Sequence, residues 1–235
     1  MKIAGIRKTS LIDYPGKIST VIFTQGCNFR CPYCHNAELI PPESEEEEYM
    51  ETGVFLDFLE ERSQLLDGVV ITGGEPTLQP DLLDFACRVS EMGYEIKLDT
   101  NGSRFPVLDE LVAGDLVDYL AVDIKGAPAN YDRYMALEQE EVLSSLEKVI
   151  NLVLNSGLDH EFRTTVVPGF HDREEIAKIA NFLVGVDRYV IQNFRPETTF
   201  DPRLEEEKRF PDDMLEEFRQ SAREYLPDAG IEIRD

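Results

Sequence analysis

Short apolar runs alternate with amphipathic stretches along this chain, and no other feature narrows its fold as much. Val21-Ile22-Phe23, Val69-Val70-Ile71, Ile96-Lys97-Leu98, Leu120-Ala121-Val122, Phe162 to Val167 and Tyr189-Val190-Ile191 each read as a strand. Each is apolar or β-branched and bounded by Gly, Pro, Asp or Asn. Repeated strand–helix units demand parallel strands joined by helical crossovers. Six such units are too few for a closed eight-fold barrel. A partial barrel and an open doubly wound sheet both satisfy the pattern, which cannot choose between them.

The helical stretches carry apolar faces at helical spacing. Phe55, Phe58, Leu59, Leu65 and Leu66 form one face. Leu82, Leu83, Phe85, Ala86, Val89 and Met92 form the next, with Gly93 as its stop. Val142, Leu143, Leu146, Val149, Ile150, Val153 and Leu154 form the cleanest, stopped by Gly157. Asp172 and Glu175 resemble a capping box before Ile176, Ile179, Ala180 and Leu183. Met214, Leu215, Phe218, Ala222 and Tyr225 form a last helix ending at Pro227. Pro41 to Glu48 and Pro196 to Asp213 read as loops, and the glutamate run as a solvated surface. Neither loop resembles an interdomain linker, so one domain over residues 1–235 is expected, with its core at about 15–195.

Composition enters through what it excludes. A chain of 235 residues that is 42% hydrophobic can bury a sizeable core. Its formal net charge of −24 disfavours binding to nucleic acid through phosphate neutralisation, and also a seat on anionic lipid. No window reaches the ~18 apolar residues of a membrane span. The start, Met1-Lys2-Ile3-Ala4-Gly5-Ile6-Arg7, lacks a signal-peptide pattern, so a cytoplasmic location is expected.

Three of the four cysteines stand in Cys27-Asn28-Phe29-Arg30-Cys31-Pro32-Tyr33-Cys34-His35, a C-x3-C-x2-C spacing. Clustered thiols in a reducing compartment read as metal ligands or redox groups rather than as a disulfide scaffold. Three thiolates on one short loop suit an iron–sulfur cluster. With three protein ligands, a four-iron cluster keeps one iron open to a substrate, as an open catalytic metal site does. Cys31 to His35 also matches the c-type haem pattern, which leaves Cys27 idle and needs an export signal. A Cys3His zinc site would require adjacent Cys34 and His35 to reach one tetrahedral ion. Cys87 lies near Leu83 and Ala86 and reads as a core thiol.

In parallel β/α folds, chemistry collects at the carboxyl ends of the strands. Here the cysteine loop follows the first strand and Thr72-Gly73-Gly74-Glu75-Pro76 the second. Asp99-Thr100-Asn101-Gly102 ends the third and Asp123-Ile124-Lys125 the fourth. Val167-Pro168-Gly169 ends the fifth and Gln192-Asn193 the sixth. Each alone is the ordinary chemistry of a turn. Six in register with a cysteine cluster read as a site.

Cys27-x3-Cys31-x2-Cys34, with Tyr33 before the last cysteine, resembles the signature of radical S-adenosylmethionine (SAM) enzymes. The run from Lys8-Thr9-Ser10-Leu11-Ile12-Asp13-Tyr14-Pro15-Gly16-Lys17 through Cys34-His35-Asn36 resembles the activating enzymes of glycyl-radical proteins. Among these, the likeness to anaerobic ribonucleoside-triphosphate reductase activating proteins is strongest.

That resemblance implies an α/β fold, a partial (β/α)6 TIM-like barrel. It implies a [4Fe–4S] cluster on Cys27, Cys31 and Cys34, and SAM as co-substrate. SAM would be cleaved reductively and a hydrogen atom taken from a glycine of a partner protein. Tyr33, Gly73, Gly74, Glu75, Asn101, Asp123, Lys125 and Arg163 are then SAM-site residues. Glu75 is expected at the methionyl amino group, and Asp123 and Lys125 near the ribose and carboxylate. Lys125 also counts among the catalytic residues. Asp99, Thr100 and Asp123 would hold a monovalent cation, since hard oxygen donors suit one. Asp13 matches a position near the glycine peptide. The implied partners are a glycyl-radical protein and a flavodoxin- or ferredoxin-type electron donor.

Three rivals remain at this point: activation of a pyruvate formate-lyase type enzyme, radical chemistry on a small molecule such as a deazapurine precursor, and a single-cluster electron carrier. The last needs no Gly-Gly-Glu or Asp-Ile-Lys at strand ends.

Overall fold

A computed structural model describes residues 1–43, 49–135 and 138–235. Most of the glutamate run, residues 44–48, therefore lies outside the described residues. Among the described residues there are eight strands in place of the six expected: β1 (Ile3–Ser10), β2 (Ser19–Thr24), β3 (Gly68–Gly73), β4 (Glu95–Thr100), β5 (Tyr119–Asp123), β6 (Asp159–Val166), β7 (Arg188–Asn193) and β8 (Gly230–Arg234). The helices are α1 (Thr52–Glu61), α2 (Leu82–Glu91), α3 (Phe105–Ala113), α4 (Gln139–Ser156), α5 (Arg173–Phe182) and α6 (Asp212–Arg223). Strand order in the sheet is chain order.

The chain divides into two compact units, and β5 passes from the first into the second. The first holds residues 1–28, 38–100 and 104–120. In it β1 pairs antiparallel with β2, while β2, β3 and β4 run parallel. Val69, Val70 and Ile71 are wholly buried, as expected of a parallel strand covered on both faces. Phe55 and Leu59 of α1 and Leu82, Phe85, Ala86 and Val89 of α2 supply helical cover, with the Phe55 and Phe85 rings 5.8 Å apart. The α1 helix ends at Glu61, short of the expected face: Leu66 is still buried, but Leu65 is exposed.

The second unit holds residues 29–37, 101–103 and 121–235, with β6, β7 and β8 parallel. Leu146, Val149 and Val153 of α4 are buried in it, as are Ile176 and Ile179 of α5 and Phe218 of α6. Gly157 ends α4 at φ +72°, a left-handed stop that glycine adopts without strain.

Two local expectations need correcting. Asp172 caps α5 by accepting from the Glu175 amide at 2.8 Å, but the reciprocal half of the box is missing. Glu175 instead accepts from the Ala127 amide at 2.7 Å and from Asn130 Nδ2 at 2.6 Å. Cys87 is not a core thiol. It lies half-buried on the flank of α2, with its Sγ facing Glu91 Oε1 at 3.7 Å.

Candidate active site

In the first unit, the turn after β3 is folded onto the end of β2. The Gly74 amide donates to Thr24 O at 2.9 Å, and the Glu75 amide to Gly26 O at 2.8 Å. Gly26 and Cys27 in turn donate to Leu39 O and Ile40 O, at 2.7 and 3.0 Å. Gly73 sits at φ +127°, and a Cβ there would fall 2.1 Å from the Thr24 amide nitrogen. A Cβ on Gly74 would fall 2.1 Å from Gly26 O. Close backbone packing beside Cys27 thus demands both glycines, whatever else approaches them.

Glu75 is fully buried. Its Oε1 accepts from the Thr77 amide at 3.1 Å, Thr77 Oγ1 at 2.6 Å and Thr100 Oγ1 at 2.7 Å. The expected ligand-binding carboxylate therefore ties the Gly-Gly-Glu turn to the end of β4. Asp99 receives the ammonium of Lys97, two residues earlier on the same strand face. Asp13 closes the turn after β1 by accepting from Arg7 Nη1 at 2.9 Å, and its amide donates to Ser10 Oγ at 3.2 Å.

In the second unit, the rest of the cysteine loop is held by backbone bonds. Arg30 N donates to Tyr134 O at 2.7 Å, and the Cys31 sulfur lies 3.9 Å from the same oxygen. Cys34 N donates to Cys31 O at 3.0 Å. Phe200 N donates to Cys34 O at 3.0 Å, and Asp201 N to Pro32 O at 2.8 Å. Cys31 is buried, while Cys27 and Cys34 are half-buried. His35 Nε2 is bonded to Arg195 O at 2.8 Å and its ring stacks on Phe194, so this nitrogen is taken up by backbone. Among the described residues no three His, Cys, Asp or Glu side chains converge as a single metal ion requires.

Tyr33 is packed edge-on against Tyr134, Phe170 and His171, and its hydroxyl lies 3.5 Å from Lys125 O. Burial pushes its phenol well above the ordinary range. Asp123, Lys125 and Arg163 come together at the ends of β5 and β6. Arg163 Nε donates to Asp123 Oδ1 at 2.8 Å and Lys125 Nζ to Oδ2 at 3.1 Å. Burial alone would raise the Asp123 carboxyl, but the charges of Arg163 and Lys125 hold it well below the usual carboxylate range. Burial alone would lower the Lys125 ammonium, but Asp123 and the Cys31 sulfur raise it above its ordinary value.

Asn101 turns its Oδ1 to the Ser103 amide at 3.0 Å, shaping the turn after β4. Gly102 follows at φ +71°, where a Cβ would meet Leu146 Cδ2 at 2.6 Å.

Sequence reading missed several residues that shape these clusters. Lys97 has a period-two signal, since strand neighbours two apart share a face. Glu161, which is 1% exposed, receives Arg234 Nη1 and Nη2 at 3.1 and 2.7 Å and lies 3.7 Å from Arg163 Nη1. Tyr131 donates no visible motif, yet its hydroxyl accepts from the Lys125 amide at 3.1 Å.

Residues 21–183 match the radical SAM superfamily. The chain belongs to that superfamily. A Methanocaldococcus jannaschii protein named as a candidate glycyl-radical enzyme activating enzyme is 37% identical over 235 residues, covering 97% of this chain and 95% of that one. The pyruvate formate-lyase-activating enzyme of Clostridium pasteurianum is 30% identical over 191 residues, covering 79% of this chain and 77% of that one. This radical SAM chain thus falls among the activating enzymes of glycyl-radical proteins.

Solved structures share the fold. Streptococcus suis SuiB bound to its precursor peptide SuiA superposes with a TM-score of 0.69 at 14% identity, covering 92% of this chain. The chain spans about half of SuiB, 48% of its length. QueE from Escherichia coli gives 0.56 at 16% identity, covering 99% of this chain and 92% of QueE. The fold is α/β with parallel strands in a non-closed sheet, in keeping with the expected partial barrel. Among the described residues no helix is long and apolar enough to cross a membrane.

Proposed function

We propose that this protein cleaves SAM reductively and generates a glycyl radical on an anaerobic ribonucleoside-triphosphate reductase. The observation that carries the SAM reading is the half-buried cluster in which Arg163 and Lys125 share the Asp123 carboxylate at the ends of β5 and β6. The choice of partner rests on the likeness in residues 8–17 and 34–36.

The donor set fits the groups the family implies. Cys27, Cys31 and Cys34 would hold a [4Fe–4S] cluster, a centre that cysteine thiolates bind. When bound beside SAM, such a cluster would supply one-electron reducing chemistry for cleavage of the sulfonium. The residues of the chain orient and shield. Arg163 and Lys125 present fixed positive charge to the carboxylate of SAM, and Asp123 holds both in place. The backbone of Gly73, Gly74 and Glu75 would receive the methionyl amino group, in a turn that the Glu75 side chain keeps closed. Tyr33 and Asn101 line the site, and Tyr33 keeps water from the cysteine loop through its aromatic neighbours. In this reading residues 1–235 act as one cytoplasmic radical SAM domain, supplied with electrons by a flavodoxin- or ferredoxin-type donor.

The test is anaerobic reconstitution with iron and sulfide, reduction, and EPR with and without SAM, followed by an assay for 5′-deoxyadenosine. The reductase and a pyruvate formate-lyase are then offered separately, and the glycyl-radical doublet is recorded. A doublet on the reductase supports the proposal. A doublet on the lyase alone would favour the second reading, which the Clostridium pasteurianum relative supports. A SAM-indifferent cluster would sink both.

A further inference from the structure

The oxygens expected to hold a monovalent cation are engaged within the protein, and both carboxylates among them meet cationic side chains. In the first unit Lys97 and Asp99 lie on one face of β4, and Lys97 Nζ meets Asp99 Oδ1. The Lys97 side chain is 2% exposed, with Nζ 5.8 Å from the centre of the Tyr119 ring. Thr100 turns its hydroxyl to Glu75 at 2.7 Å. In the second unit Arg163 and Lys125 occupy the two oxygens of Asp123. Both carboxylates already face a fixed positive charge.

We propose that Lys97, buried against Tyr119 and joined to Asp99, is a tethered replacement for the monovalent cation, so that SAM binding needs neither potassium nor sodium. An ammonium carries the same unit charge and seeks the same carboxylate oxygen. A free ion must be collected from solution and ordered at each binding event, whereas a side chain fixed by folding is already in place. A buried ion pair adds little net stability, because desolvation offsets the attraction. The contribution of this pair is where it sets charge. Lys97 is a positioning residue: it acts through Asp99, not by touching SAM.

The inference rests on the SAM-binding reading above, and the experiment separates the two. SAM affinity of the anaerobically reconstituted holoprotein is measured by equilibrium dialysis with potassium, sodium or tetramethylammonium as the sole monovalent cation. Wild type is expected to bind equally in all three. Lys97→Met is expected to bind about tenfold more weakly in tetramethylammonium, because the positive charge beside Asp99 is removed, and to recover in potassium or sodium. Wild-type binding that requires potassium or sodium overturns the inference and leaves the SAM reading intact. Lys97→Met with wild-type affinity in tetramethylammonium also overturns it. No SAM binding by wild type in any salt overturns the reading and the inference together. Should Lys97→Met fail to fold, Lys97→Met with Asp99→Asn removes both charges. That double variant is expected to bind weakly in every salt without rescue, and full affinity would overturn the proposal.

Discussion

Arg163 Nε donates to Asp123 Oδ1 at 2.8 Å, joining the middle of β6 to the last residue of β5. The link is doubled by backbone, since Ile124 N donates to Arg163 O at 2.7 Å. A strand end and a strand middle are thereby locked in register. Glu161 and Arg234 continue the network toward β8, so the orientation of Arg163 depends on strands that carry no motif.

Asp123→Asn is expected to weaken SAM binding about tenfold and to lower stability by about 2 kcal/mol, because two partly buried cations lose their counter-charge. Equilibrium dialysis and urea denaturation measure the two effects separately. An unchanged SAM affinity would remove this cluster from the site.

Cys27→Ala, Cys31→Ala and Cys34→Ala are each expected to lose most bound iron after anaerobic reconstitution. Cys87→Ala should keep the wild-type amount, since Cys87 lies on α2 and faces Glu91. Iron and sulfide per chain are the quantities to compare.

Thr100→Val removes one of the donors to the fully buried Glu75 carboxylate. A lost bond to a buried charge costs about 1–3 kcal/mol. The urea midpoint should fall accordingly, and a shift near zero would mean that the carboxylate finds another donor.

Burial pushes the His171 imidazole below its ordinary range. Val167 N–H already points at Nδ1, and Nε2 donates to Lys125 O, so the neutral ring fits its surroundings. The unfolded chain takes up that proton near pH ~6.5, while the folded chain resists it. The stability from neutral His171 is therefore complete above about pH 6.5 and declines as the pH falls toward the folded value. Urea midpoints from pH 7.5 downward should show this loss, and His171→Gln should flatten it over the same interval.

Two glycines at positive or crowded positions should respond very differently to alanine. Gly74→Ala drives a Cβ into Gly26 O and is expected to cost about 3 kcal/mol and to reduce iron loading. Gly157→Ala meets nothing within 4 Å and carries only the left-handed backbone penalty, about 1–2 kcal/mol. Thermal denaturation of the two variants, with iron analysis of the first, checks the contrast.

The parallel strands were legible because they are buried on both faces and so read as unbroken apolar runs, as in Val69-Val70-Ile71. The added strands lack that signature. Gly5-Ile6-Arg7-Lys8 in β1 mixes apolar with exposed charged residues, and Glu232 and Arg234 in β8 are ion-paired surface residues. At the site, residue types that are scarce or chemically marked stood out: clustered thiols, paired glycines, acids at strand ends. What those acids bind could not be read, because Lys97 meeting Asp99 depends on strand-face geometry. Glu175 shows the same limit. Its spacing fits a capping box, yet tertiary donors at Ala127 and Asn130 claim its carboxylate.

The amides of Phe200 and Asp201 close the second half of the cysteine loop from more than 160 positions downstream. During synthesis the chain emerges from its amino end, and contacts of such wide sequence separation form late. A ribosome must therefore have passed residue 201 before Pro32 and Cys34 can acquire their final backbone partners. The second half of the loop thus acquires its full backbone frame only once the segment around residues 200 and 201 has been made and has folded back.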